Sequence, residues 1–152
     1  MNDILFLLQG IPETIATTGL SLAFARIPLR WVPIAIGGAI ISIIGSAIKL
    51  LPFALGLHTI AVLLMIVLFI SKTTRTSPVK SFIVTISSIL ILILLELVIH
   101  LAISKLTHLN LQTAATDQLL WILIGLPQAI IVFILALLIS KINKPVLNGW
   151  KI

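Results

Sequence analysis

Five nearly uninterrupted apolar runs constrain this chain more than any other feature. They extend from about Ile4 to Ala25, Val32 to Ile48, Phe53 to Ile70, Val79 to Ser104 and Gln118 to Ser140. A helix needs about 20 mainly apolar residues to cross a hydrocarbon core about 30 Å thick. Each run has or approaches that length; the second is short for a span and the fourth long enough to tilt. The runs are continuous rather than alternating, which excludes a membrane β-barrel, whose strands alternate lipid-facing and lumen-facing residues. Water is excluded as the surrounding medium by composition. Of 152 residues 60% are hydrophobic and 9% charged, against about a quarter charged in a soluble domain. The expected fold is therefore all-α: a polytopic integral membrane bundle of about five transmembrane helices, forming one domain over residues 1–152 and partnered by the lipid bilayer.

The connections between the runs are short. The longest, Lys105 to Asp117, is the most polar and has room for a short interfacial helix. The net charge of +6 does not imply nucleic acid, because the ten Lys and Arg are scattered between apolar runs with no basic helix or block. With five crossings, the first connection, the third connection and the tail share a side. They hold Arg26, Arg30, Lys72, Arg75, Lys80, Lys141, Lys144 and Lys151, and the other side holds only Lys49 and Lys105. The positive-inside rule then places the N-terminus outside and the C-terminus in the cytoplasm. Met1-Asn2-Asp3 has no basic segment before the first run, so a cleaved signal peptide is not expected. Trp31, Trp121 and Trp150 fall near predicted interfaces, as aromatic belts do.

Polar residues inside the runs are the functional candidates. Two of the four acids, Glu13 and Glu96, lie within spans, where acids are costly and mark a bundle interior, a wet cavity or a site. Gln9, Glu13, Thr17 and Ser21 recur every fourth residue, one stripe on a helix. Ser81, Thr85, Ser88, Glu96 and His100 share a face of the fourth helix, with Glu96 and His100 one turn apart. Lys49 and His58 flank the connection between the second and third runs, and with the acids they mark a candidate pocket opening outward.

The sequence also echoes itself. Gly10-Ile11-Pro12-Glu13-Thr14-Ile15 resembles Gly125-Leu126-Pro127-Gln128-Ala129-Ile130. A proline inside a helix removes one hydrogen bond and clashes one turn back, so it kinks the helix or hinges it. Paired, interrupted helices can mark a binding site in a membrane protein. The candidate ligand-binding set is Glu13, Glu96, His100, Gln128 and Gln9, and the candidate hinges are Gly10, Pro12, Gly125 and Pro127. Small residues at Gly38, Ser42 and Ser46, and at Gly19 and Ala23, mark faces for close helix packing, within the chain or in a homo-oligomer.

Other chemistries find no support. There is no cysteine, no G-x-S-x-G or P-loop motif, and three scattered histidines do not make a metal site. No catalytic residue, metal or cofactor is expected, and the chain is read as a non-enzyme.

Three segments resemble a known family: Leu7-Leu8-Gln9-Gly10-Ile11-Pro12-Glu13-Thr14-Ile15, Leu50-Leu51-Pro52-Phe53-Ala54-Leu55-Gly56-Leu57-His58-Thr59, and Ile124-Gly125-Leu126-Pro127-Gln128. They are similar to the membrane-spanning sensor region of accessory-gene-regulator-type histidine kinases of Gram-positive bacteria, some associated with a sporulation-phosphotransferase-like domain. The resemblance covers nearly the whole chain. The phosphoacceptor helix and ATP-binding domain of those kinases have no counterpart in it, since about a dozen residues follow the fifth run. The resemblance implies a sensor in the bacterial cytoplasmic membrane that binds an extracellular or membrane-embedded ligand. It would signal in a two-component manner through a separate histidine-kinase-like or other membrane partner. The alternatives are a small transport component, as the substrate-binding subunit of an importer or an ion-coupled transporter, and a structural or holin-like membrane protein.

Overall fold

The computed structural model describes residues 2–49, 56–107 and 118–152. It is all-helical in its described elements: α1 (Asn2–Phe24), α2 (Trp31–Lys49), α3 (Leu57–Thr73), α4 (Pro78–Thr107) and α5 (Gln118–Ile142). One helix forms at each apolar run; a helix satisfies its backbone N–H and C=O groups within its own segment, as any segment crossing hydrocarbon must. Three stretches, Trp31–Lys49, Pro78–Leu106 and Gly125–Ile142, are long and apolar enough to cross a membrane, and α3 is apolar but shorter. Residues 53–55, expected at the start of the third span, and 108–117, in the connection with room for a short interfacial helix, lie outside the described residues.

The helices alternate in direction. Gly10 and Gly19 of α1 meet Ser42 and Trp31 of α2, and Gly37 and Gly45 of α2 meet Phe69 and Val62 of α3. In α5, Gly125 meets Gln9 and Ala136 meets Gly19, so α1 and α5 run parallel. Helix α1 is the centre of the bundle, packed against α5, α2 and α4. Its residues Thr17, Thr18, Leu20, Ser21, Leu22 and Ala23 are all buried.

Two apolar clusters hold the packing. One joins Ala16 and Leu20 of α1 to Val132 and Ala136 of α5. The other joins Leu22 to Ile34 and Ile41 of α2, Ile66 and Ile70 of α3, Val84 of α4 and Trp150. The small-residue face of α2 packs within the chain: a Cβ on Gly38 would stand 2.7 Å from Ile15 Cγ1 and 3.0 Å from its Cα. Only glycine allows the two backbones to approach so closely.

Buried hydroxyls settle their hydrogen bonds locally. Thr14, Thr17, Thr18 and Ser21 each donate to the carbonyl four residues back at 2.7–2.9 Å. Ser81, Thr85 and Ser88 do the same on α4. Such back-bonding lets a polar stripe sit in an apolar interior without a partner on another helix.

The tail corrects an expectation. Residues 143–152 fold back as a strap across the ends of the α1–α2 and α3–α4 connections. Val146 N–H donates to the Arg26 carbonyl at 2.8 Å. Arg75 N–H donates to Gly149 and Lys151 N–H to Thr73, both at 2.8 Å, which makes Thr74 and Trp150 an isolated antiparallel bridge. Trp150, expected in an aromatic belt, is instead 6% exposed, and its indole Nε1–H donates to the Pro28 carbonyl at 2.7 Å. An indole buries a large apolar body and needs one acceptor for its N–H; the turn at Pro28 supplies both. Trp31 is half-buried, its ring 4.5 Å from that of Phe133.

Candidate functional site

The two echoed motifs stand side by side. Gln9 faces Gly125 and Gly19 faces Ala136, so α1 and α5 are aligned with an offset within a residue or two of the one separating Gly10-Ile11-Pro12-Glu13 from Gly125-Leu126-Pro127-Gln128. The motifs therefore share one level of the bundle. A Cβ on Gly125 would overlap the Gln9 carboxamide, so the glycine is what admits that side chain between the two helices. The amide oxygen of Gln9 is enclosed and has no hydrogen-bond partner among the described residues.

Both helices remain continuous through their prolines, with Pro12 inside α1 and Pro127 inside α5. Each proline withholds the N–H that the residue four back, Leu8 or Leu123, would accept. Pro12 is half-buried and Pro127 exposed, while Gln128 beside it turns inward. Thr14 supplies a donor to the Gly10 carbonyl at 2.7 Å, one turn along α1.

Helix α4 closes the third side. Gln128 is 4% exposed, and its Nε2 donates to the Leu92 carbonyl at 3.2 Å. One turn further on, Glu96 stands within electrostatic reach of Glu13. One more turn on, His100 Nδ1 lies 2.7 Å from the main-chain carbonyl of Glu96. A carbonyl only accepts, so this nitrogen carries the proton. The expected meeting of Glu96 and His100 thus includes a bond to the backbone.

Of the predicted set, Gln9, Glu13, Glu96 and Gln128 gather at the α1–α4–α5 junction, with His100 next along α4. The junction is unusual in what it holds: two half-buried carboxyl groups, acceptor-only when ionised, and an enclosed amide oxygen, an acceptor as it stands. Lys49 and His58 belong to the α2–α3 side of the bundle. Lys49 is exposed, and His58 shares a 3.3 Å hydrogen bond with the Thr59 hydroxyl. Residues 50–55, the rim of the pocket expected there, lie outside the described residues. Among the described residues no three His, Asp or Glu side chains are grouped to hold a metal ion.

Sequence reasoning missed two features, one at the junction and one at the far end of the bundle. The Leu92 carbonyl is invisible to any side-chain pattern. The strap carries no periodicity; its one signal is a tryptophan in a polar tail. No protein-family model matches the chain, and no curated protein or solved structure matches it either.

Proposed function

We propose that this chain is a non-enzymatic membrane sensor or regulatory module whose ligand binds at the α1–α4–α5 junction and whose output passes to a separate partner. The bundle would lie in a bacterial cytoplasmic membrane with five spans, the N-terminus outside and the strap in the cytoplasm. The observation that carries the reading is the gathering of Glu13, Glu96, Gln9 and Gln128 from three helices at the level of two prolines that each remove a helical hydrogen bond. Acceptors gathered in an apolar bundle suit a ligand that brings positive charge or several hydrogen-bond donors. Such a ligand would act by binding one arrangement of α1, α4 and α5 more tightly than another. The resemblance to the sensor regions of accessory-gene-regulator-type kinases supports the same reading.

The full chain, purified in mild detergent from its own membranes, is expected to bring with it a histidine-kinase-like or other signalling partner. Glu13→Gln and Glu96→Gln should change that partner's phosphorylation state while leaving the abundance of the chain unaltered. No change in either variant would sink the site. The two half-buried carboxyl groups also favour one other reading, an ion-coupled transporter. Proteoliposomes containing an internal pH dye separate the two. Proton flux under an imposed potential, lost in Glu13→Gln, would replace sensing with transport.

A further inference from the structure

We propose that the strapped end of the bundle is a docking surface for anionic phospholipid headgroups, with the strap seated at the headgroup level.

Three segments that are far apart in sequence meet at this end: the α1–α2 connection, the α3–α4 connection and residues 143–152. They and the adjoining helix ends hold eight of the ten Lys and Arg of the chain and none of its four acids. Three of the eight cations also tie the fold. Lys80 Nζ donates to the Ala25 carbonyl, Arg30 Nη1 to the Ile152 carbonyl and Lys151 Nζ to the Ser71 carbonyl, at 2.9–3.2 Å. The other five, Arg26, Lys72, Arg75, Lys141 and Lys144, are exposed. Two of them are held in the left-handed backbone region, Arg26 at φ 62° and Lys144 at φ 40°. The bond from Val146 N–H to the Arg26 carbonyl brings these two stretches together. The charge is thus fixed to a folded scaffold rather than carried on a loose tail.

Apolar exposure identifies the occupant as lipid. On α5, Ile130, Ile134, Leu138 and Ile142 follow one another at one-turn spacing and are all about half exposed or more. That stripe leads directly into Lys141 and Lys144, then to Val146 and Leu147, the latter 87% exposed. A stripe of this kind belongs against acyl chains. The cations at its end then stand where the hydrocarbon gives way to phosphates, and Val146 and Leu147 sit among them as interfacial anchors do. An acidic protein surface or free phosphate would account for the charge and leave the exposed Leu147 without a role.

The test uses the full chain in neutral detergent, titrated with phosphatidylglycerol or phosphatidylcholine and read by native mass spectrometry. Phosphatidylglycerol adducts should dominate. Each of Arg26→Gln, Lys141→Gln and Lys144→Gln should weaken them by about fivefold, the weight of one cation near an anionic membrane surface. Leu147→Ser should shorten their survival under collisional activation. Lys105→Gln, at the other end of α4, should change nothing. Circular dichroism on each variant keeps misfolding apart from lost binding, and Lys144→Gln alone decides if another variant does not fold. Equal retention of the two lipids would overturn the proposal. So would unchanged phosphatidylglycerol binding in Lys144→Gln, or full displacement of the lipid by millimolar inorganic phosphate.

Discussion

Helices α1 and α4 both bury hydroxyl side chains but occupy opposite places in the bundle. Helix α1 carries Gln9, Glu13, three threonines and Ser21, yet it occupies the centre of the bundle. Helix α4 is the most apolar of the three candidate spans and the least enclosed. Among the described residues, three of the four that α4 buries are Ser81, Thr85 and Ser88, while Leu90, Ile93, Leu94, Leu97 and Val98 face outward. In water this would be an inside-out protein. In hydrocarbon it is the expected arrangement, because lipid tails are as apolar as leucine and burying a leucine gains little. Small side chains, by contrast, let helices approach, and polar ones need an interior. The contrast teaches that in this chain hydrophobicity alone does not mark the core: small polar side chains are buried beside the two apolar clusters, while many leucines and isoleucines face outward.

The comparison makes four predictions, from the largest effect to the smallest. Gly38→Leu, which forces bulk between α1 and α2, should cost about 3 kcal/mol or more of bundle stability, the upper range for overpacking. Reversible unfolding in mixed micelles would measure it. A value near zero would mean that α1 is not held as tightly as its buried face implies. Trp150→Ala should cost about 3 kcal/mol, at the lower end for a buried aromatic. Limited proteolysis should then cut within 143–152 before it cuts anywhere in α1. Gln128→Leu removes the donor to the Leu92 carbonyl and should cost about 1 kcal/mol, a typical intramembrane hydrogen bond. Leu94→Ala, on the outward face of α4, should stay within about 0.5 kcal/mol. A cost from Leu94→Ala larger than that from Gln128→Leu would reverse the comparison.

Glu13→Gln sharpens the same contrast from the functional side. Replacing Glu13 removes one of two half-buried carboxyl groups that lie within electrostatic reach of each other, so stability should hold or rise by about 0.5–2 kcal/mol, as when a residue kept for function is replaced. The proposed response should be lost in the same variant. Thermal unfolding and the partner's phosphorylation, read together, distinguish a site from a structural bond, whose loss would lower stability.

The elements were legible in the sequence because each apolar run is a self-contained hydrogen-bonding unit. The polar stripes were legible because their residues recur at helical spacing: Gln9, Glu13, Thr17 and Ser21 lie along one helix by arithmetic alone. The echo between Gly10-Ile11-Pro12-Glu13 and Gly125-Leu126-Pro127-Gln128 pointed at two helices without saying that they touch. Neighbours were not legible, since lipid-facing and protein-facing leucines look alike. That α2 presents Gly38 and Ser42 to α1, rather than to a second copy, rests on the Ile15 backbone, which has no sequence signature. The strap was illegible for a different reason. Its shape depends on left-handed residues at Lys144 and Asn148, and on carbonyls at Arg26, Pro28 and Thr73. Main-chain acceptors leave no trace in a side-chain pattern.

The alignment of α1 with α5, which places the two motifs at one level, is the claim on which the site rests. The chain has no cysteine, so an engineered pair is read against a clean background. Gln9→Cys combined with Gly125→Cys, oxidised in native membranes, should form an intramolecular disulfide rapidly and almost completely. Leu8→Cys with Gly125→Cys, whose position 8 faces outward, should not. Failure of the first pair, or equal cross-linking of the second, would contradict the account.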